Sequence, residues 1–285
     1  MRPDYTPPWS CFALAPCTEG SETLFSVGSF ERKGSHQQIH SVTDFEKTHQ
    51  YNIDALPEKM MYVSRDTLAV LSHDIVFLRG DRTEIPFRTQ QPSLSFDVHS
   101  ADGNTFALAK TDGAINIVDV HSPNTADLVS VAKHPLFDVS FSAYPETLFS
   151  CGEDGSVRLI DRRCLKYYDT LYRGNSPVLR IEANRRDINT VSFFGINKTL
   201  TTLDLRNTRC ASHTADTPHP PTALCWSLSS RNTLAFSDKH ACYLLNTGTG
   251  SVTRRKMFLS DRIHSVCALS TGFLVGAKKR VFLWP

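Results

Sequence analysis

The chain of 285 residues carries 31 Lys and Arg against 29 Asp and Glu, a formal net charge of +2, with 40% hydrophobic and 21% charged residues. That is the balance of an ordinary globular protein, and it leaves no overall electrostatic footprint for nucleic acid. No stretch is apolar for long enough to span a bilayer, no charged segment followed by an apolar run marks a secretory signal, and the eight cysteines include no C-x-x-C pair, so buried thiols in a reducing compartment are expected.

Met1 to Pro8 holds three prolines and little periodicity. Trp9 to Ala15 and Leu24 to Phe30 then read as two partnered apolar strands. The insertion ERKGSHQ separates them from QQIHSVT and predicts a long exposed loop, the kind of segment in which binding is commonly placed. Tyr51 to Arg79 forms the shortest unit, with Pro57 interrupting its first strand. Further units open with alternating strands at Leu94, Phe137, Val178, Ala223 and Ile263, for example FDVSFS at 137–142 and TALCWS at 222–227. The clearest stretch is TLFSCGEDGSVRLIDRR at 147–163. It reads as a strand, an Asp154-Gly155 turn that tolerates positive φ, and a second strand closing on Ile160-Asp161.

That hairpin recurs. FALAKTDGAINIVDV lies 42 residues earlier, turning at Asp112-Gly113 and closing on Val118-Asp119; VSFFGINKTLTTLDLR lies 43 later, turning at Asn197 and closing on Leu203-Asp204. Weaker copies close on Val42-Thr43, Leu78-Arg79, Leu245-Asn246 and Trp284-Pro285. The second residues of these pairs stand at 43, 79, 119, 161, 204, 246 and 285, separated by 36, 40, 42, 43, 42 and 39 residues. A period of roughly 40 to 45 residues with four short strands per unit predicts an all-β, seven-bladed β-propeller filling residues 1–285 as one domain. The last closing pair leaves no following residues for an outer strand, so the leading octapeptide is the expected clasp, through a short strand around Asp4 to Thr6. Its prolines make it a poor ladder donor, and the second and seventh blades are expected to be the least complete.

The chemistry is mostly that of absence. No Gly-rich phosphate loop, G-x-S-x-G elbow, H-E-x-x-H or clustered metal ligands occur, so a non-enzyme without cofactor or metal is expected. The basic clusters at 162–163, 185–186, 254–256 and 278–280 are scattered over different blades and read as solvated edge and turn residues, and Asn197-Lys198-Thr199 reads as a chance glycosylation match. Thr111, Glu153 and Ile196 precede the turn residue in three successive units and are expected to ring one mouth of the channel. Asp161-Arg162-Arg163 and Asp204-Leu205-Arg206 end the third strands of neighbouring units, which places Arg163 and Arg206 on the same side of the ring.

The closing pairs stand where WD-repeat proteins carry Trp-Asp, and the chain resembles that family. In regular WD repeats a His, a Ser or Thr, an Asp and the Trp form a buried hydrogen-bonded set; His134, Ser150 and Asp154 occupy the first three places, with Ile160 in the fourth. This structural reading is preferred to a Ser-His-Asp catalytic one. Asp112 is the matching turn residue of the preceding unit, and Trp284 alone keeps the closing Trp.

Pro8-Trp9, Gly28-Ser29-Phe30, SVRLIDRR at 156–163, SPVLRIEANRRDINTVSF at 176–193 with Leu203 to Arg206, and SDKHACYLLN at 237–246 further resemble the Transparent Testa Glabra-type WD-repeat adaptors. The chain departs from them in its short second unit and shorter loops. The resemblance implies a cytoplasmic or nuclear adaptor that binds protein kinases, transcription regulators or a cullin-RING ligase adaptor. The D-x-R pairs Asp161/Arg163 and Asp204/Arg206 resemble those of ligase substrate receptors. Alternative readings are an RNA- or chromatin-associated subunit and a catalytic propeller.

Overall fold

The structure, a computed structural model, describes residues 4–18, 22–30, 36–72, 74–80, 82–87, 91–99, 103–123, 126–144, 146–165, 168–256 and 262–284. Among them, strands pair in seven antiparallel four-stranded sheets, and the chain is an all-β seven-bladed propeller. The innermost strands of blades 1 to 7 are Cys11–Pro16, Lys59–Ser64, Ser93–Val98, Leu136–Phe141, Val178–Ala183, Ala223–Trp226 and Ile263–Leu269. Each of blades 1 to 6 continues outward through three consecutive strands. Blade 7 supplies three strands, and its outermost position is taken by Asp4–Tyr5, which pairs with Phe282 and Val281. The pairing uses two of the three residues, Asp4, Tyr5 and Thr6, that stand between Pro3 and Pro7.

The second blade is complete, contrary to expectation. It runs through Lys59–Ser64, Thr67–Leu71, Ile75–Arg79 and Arg82–Phe87. Tyr51, expected to open it, belongs to Glu46–Ile53, the outermost strand of blade 1. That strand is polar and almost wholly exposed, so it lacks the apolar alternation by which strands are recognised. Pro57 lies in the connector and interrupts nothing. Most of the insertion after Phe30 lies outside the described residues, whereas its last residue, Gln37, begins the third strand of blade 1.

The core is divided among the junctions. Seven apolar clusters each join two neighbouring blades, for example Ala107, Ile115 and Ile117 of blade 3 with Leu136, Phe141 and Ile160 of blade 4. The apolar member of every closing pair is buried here: Val42, Leu78, Val118, Ile160, Leu203, Leu245 and Trp284. Each faces an apolar residue near the start of the second strand, as in Phe106 opposite Val118 and Leu148 opposite Ile160. An aliphatic residue fills the place of Trp because the blade needs buried area there, and no indole hydrogen bond.

Candidate functional site

An innermost strand has one edge with no strand beside it, and its free amides must find other acceptors. Here the neighbouring blade supplies them. Asp97 of blade 3 accepts from Phe141 N of blade 4 at 2.7 Å, Ser140 of blade 4 from Ala183 N of blade 5 at 3.2 Å, and Glu182 of blade 5 from Trp226 N of blade 6 at 3.4 Å. Cys225 continues the series toward the Ala268 amide of blade 7. These acceptors stand at 97, 140, 182 and 225, on the repeat period. The sequence reading missed them because a polar residue inside an apolar strand reads as a break in the pattern; their common offset was the available signal.

The same side chains line a central channel of about 860 Å³. Lys59 donates to Ser95 Oγ at 2.9 Å and to Asp138 Oδ1 at 3.1 Å, while Ile181 N donates to Asp138 Oδ2 at 3.1 Å. One carboxylate thereby holds blades 2, 3, 4 and 5. Burial alone would raise the Asp138 carboxyl, but Lys59, Arg180, the Ser95 hydroxyl and the Ile181 amide together hold it below the ordinary range. Arg185 reaches Asp97 at 3.0 Å. Glu182 has a weaker set of partners, and burial in the channel wall pushes it up to about 7, against the pull of Arg185.

Five of the seven innermost strands carry a bulge one residue in from their start. The bulged residues are Phe12, Leu94, Phe137, Leu179 and His264, and all five line the channel at the end where the chain enters each blade. A bulge re-aims one side chain without ending the strand, and its repetition builds an apolar mouth. Phe30, 37% exposed, stacks on Phe12 at 5.6 Å.

Thr111, Glu153 and Ile196 lie on this face. Their amides donate to the carbonyls of Pro92, Pro135 and Pro177, the residue just before the neighbouring innermost strand. They hold equivalent positions in three successive blades, at the end where the chain enters each blade, and do not line the channel. Asp112 and Asp154 each cap their turn, accepting from Ala114 N and Ser156 N at 3.1 Å.

The three-membered set of His134, Ser150 and Asp154 is not assembled. His134 is exposed with Nδ1 4.0 Å from Glu153, Ser150 Oγ is buried with no hydrogen-bond partner among the described residues, and Asp154 is engaged by Arg158. Arg158 is itself almost fully buried, and a buried guanidinium requires a carboxylate, so Asp154 serves Arg158 as well as its turn and does not reach His134 or Ser150. Trp284 is buried against Phe273 in the junction between blades 6 and 7.

On the opposite face, the ends of the third strands carry the two D-x-R pairs. Arg163 places Nε 3.0 Å and Nη2 2.7 Å from its own Asp161, and its backbone amide donates to the same carboxylate at 2.9 Å. Arg206 repeats this on Asp204 at 2.9, 2.6 and 3.0 Å. The hydrogen bonds from Arg163 hold the Asp161 carboxyl down at about 2. Both arginines remain well exposed, at 70% and 67% of their side chains. The fork uses Nε and one Nη2 hydrogen, which leaves three donors of each guanidinium facing solvent in a fixed orientation.

No family model matches the chain. It is 23% identical over 210 residues to the DDB1- and CUL4-associated factor 7 homolog of Dictyostelium discoideum, covering 65% of this chain and 65% of that protein. A WD repeat-containing protein of Saccharomyces cerevisiae is 28% identical over 216 residues, covering 68% of this chain and 36% of that protein. Another from Schizosaccharomyces pombe is 25% identical over 134 residues, covering 40% and 31%. The chain spans less than two thirds of the length of each of these relatives. The chain is thus an all-β seven-bladed propeller whose third strands close on a buried apolar residue, and the proteins it is similar to are WD-repeat proteins and a DDB1- and CUL4-associated factor homolog.

Proposed function

We propose that the chain is a non-catalytic scaffold, acting in the cytoplasm or nucleus, that docks a cullin-RING ligase adaptor through Arg163 and Arg206 and holds client proteins such as a kinase or a transcription regulator elsewhere on the ring. The observation that carries this reading is the duplication of one exposed arginine fork, in the same local geometry, on two adjacent blades. An ion pair that far exposed is screened by solvent and contributes little to stability, which gives folding little use for the repetition. A guanidinium already oriented by its own Asp loses less freedom on meeting a partner carboxylate, and it can form the bidentate contact that Lys cannot. The name of the Dictyostelium relative, a DDB1- and CUL4-associated factor homolog, fits this direction.

The test is recovery of the ligase adaptor from cell extract by the tagged full chain. Replacing Arg163 and Arg206 together with Ala should abolish recovery and leave the melting temperature almost unmoved. Recovery undiminished by the double substitution would overturn the docking site. A stoichiometric nucleotide or metal carried through purification, with turnover that depends on it, would overturn the non-catalytic reading.

A further inference from the structure

The face that bears the channel mouth is unevenly charged. Blades 1 to 4 present the exposed Asp54, Glu58, Asp112 and Glu153 there, against the exposed cations Lys133 and Arg173 toward the outer ends of blades 3 and 4. Blades 5 to 7 present Arg180, Lys198, Lys239, Arg262, Lys278 and Lys279, all exposed except the half-buried Lys239. Among the described residues, no carboxylate pairs with Lys198, Lys239, Arg262, Lys278 or Lys279. On this side Asp238 is buried, and the exposed Asp216 accepts from Thr199 at 2.8 Å.

The cations are tied into one arc by backbone contacts. Lys198 O accepts from Thr217 N at 2.9 Å, and the His219 ring that follows lies 5.4 Å from that of His240, next to Lys239. Lys239 O accepts from Ile263 N at 3.0 Å, Lys278 N donates to Arg262 O at 3.0 Å, and Lys278 O accepts from Cys11 N at 2.8 Å. The arc thus runs from blade 5 to the entry of blade 1, where it meets Phe12 and Phe30. His264, beside Phe12, is held below its ordinary value by burial first and then by Arg262 and Lys278.

We propose that this face binds an acidic peptide segment of a client protein, with an apolar residue seated in the mouth formed by Phe12, Phe30, Phe137 and Leu179 and its carboxylates laid along the arc from Arg180 to Lys279. The inference rests on the scaffold reading and is independent of the ligase docking site on the opposite face. Unpaired cations around an apolar recess are complementary to alternating apolar and acidic groups, and aromatic anchors in a desolvated recess concentrate binding energy. The acidic groups of the same face select among anions. A duplex or a flat anionic membrane has to cover the whole face and meet Asp54, Glu58, Asp112 and Glu153, whereas a short peptide can follow one half alone.

The probe is a fluorescein-labelled peptide carrying a Leu-Phe pair followed by a run of glutamates, measured by anisotropy on the full chain at two salt concentrations. Saturable binding that weakens with salt is expected. Arg262→Glu, Lys278→Glu and Lys279→Glu together should weaken it by at least about tenfold, because every one of these contacts turns repulsive. Phe30→Ser should weaken it while leaving the salt dependence unchanged. Should the charge reversals disturb folding, Lys278→Gln with Lys279→Gln should still weaken binding, by a smaller factor. Arg163→Ala with Arg206→Ala should bind the peptide normally. Absence of saturable binding, equal binding by the charge-reversed chain, or tighter binding of duplex DNA, single-stranded RNA or phosphatidylserine vesicles would overturn the proposal. If the peptide fails while the ligase adaptor is still recovered through Arg163 and Arg206, this inference falls and the scaffold reading stands.

Discussion

Gly155 shows how a single position sustains the repeat. Its φ of +72° lies in the left-handed region, and an added Cβ would stand 2.6 Å from Gly174 O and 2.8 Å from Ser176 O. Gly113 holds the matching place one blade earlier at +82°. Gly155→Ala should therefore cost about 2 kcal/mol or more, from backbone strain and from collision with two carbonyls that have no flexible end to yield. Chemical denaturation would measure it, and a cost within a few tenths of a kcal/mol would show that the turn can relax. Asp-Gly was legible in the sequence because the turn chemistry is local. In blade 5 the same conformation falls on Lys198, at +62°, one residue after the Asn that the pattern singled out. There the blade imposes the turn on a residue that would not choose it, and local preference gives no warning.

At the scale of the strand, the innermost edge depends on carboxylates whose ionisation carries opposite signs. Asp138 is held below its unfolded value near 4, so its stabilisation is complete above that value and is lost as pH falls through the lower folded one. Asp138→Asn should destabilise the chain by about 2 to 3 kcal/mol at neutral pH, since Lys59 and the Ile181 amide lose a charged acceptor, and the deficit should shrink in acid. Glu182 is raised to about 7, so the folded state holds its proton longer than the unfolded chain does. Stability contributed there is full below about pH 4.5 and declines as pH rises to about 7. Glu182→Gln should accordingly raise the melting temperature at about pH 8 and leave it unchanged at about pH 4. A gain that is equal at both values would rule out ionisation as the cause. The period and the closing pairs that define the blades could be read from apolar alternation. The stitching residues could not, because what makes Asp97 or Glu182 useful is an amide some 40 residues away on another blade.

Closure of the whole ring turns on whether the clasp or the apolar seam behind it holds blade 7 to blade 1. The clasp is two residues long, and Tyr5 adds a contact of 2.6 Å between its Oη and His40 Nδ1 together with an edge-on approach to Phe25. At about 1 kcal/mol per hydrogen bond, the clasp amounts to about 1 to 3 kcal/mol. The seam buries Trp9, Cys11, Leu14, Phe25, Val27 and Val42 of blade 1 against Leu269, Leu274 and Val281 of blade 7. At about 1.5 to 3 kcal/mol for each large aliphatic or aromatic side chain, it outweighs the clasp several times over. The prolines that make the first residues a poor ladder donor therefore matter less than the sequence suggests. Removing residues 1–5 should lower the melting temperature by only a few degrees and leave a folded ring, whereas Phe25→Ala should cost about 3 to 5 kcal/mol. The truncated chain should also associate as its concentration rises, because Arg280–Trp284 becomes an uncovered edge, and light scattering would report this. If truncation proves more damaging than Phe25→Ala, the ring is held shut by its clasp and the seam merely follows.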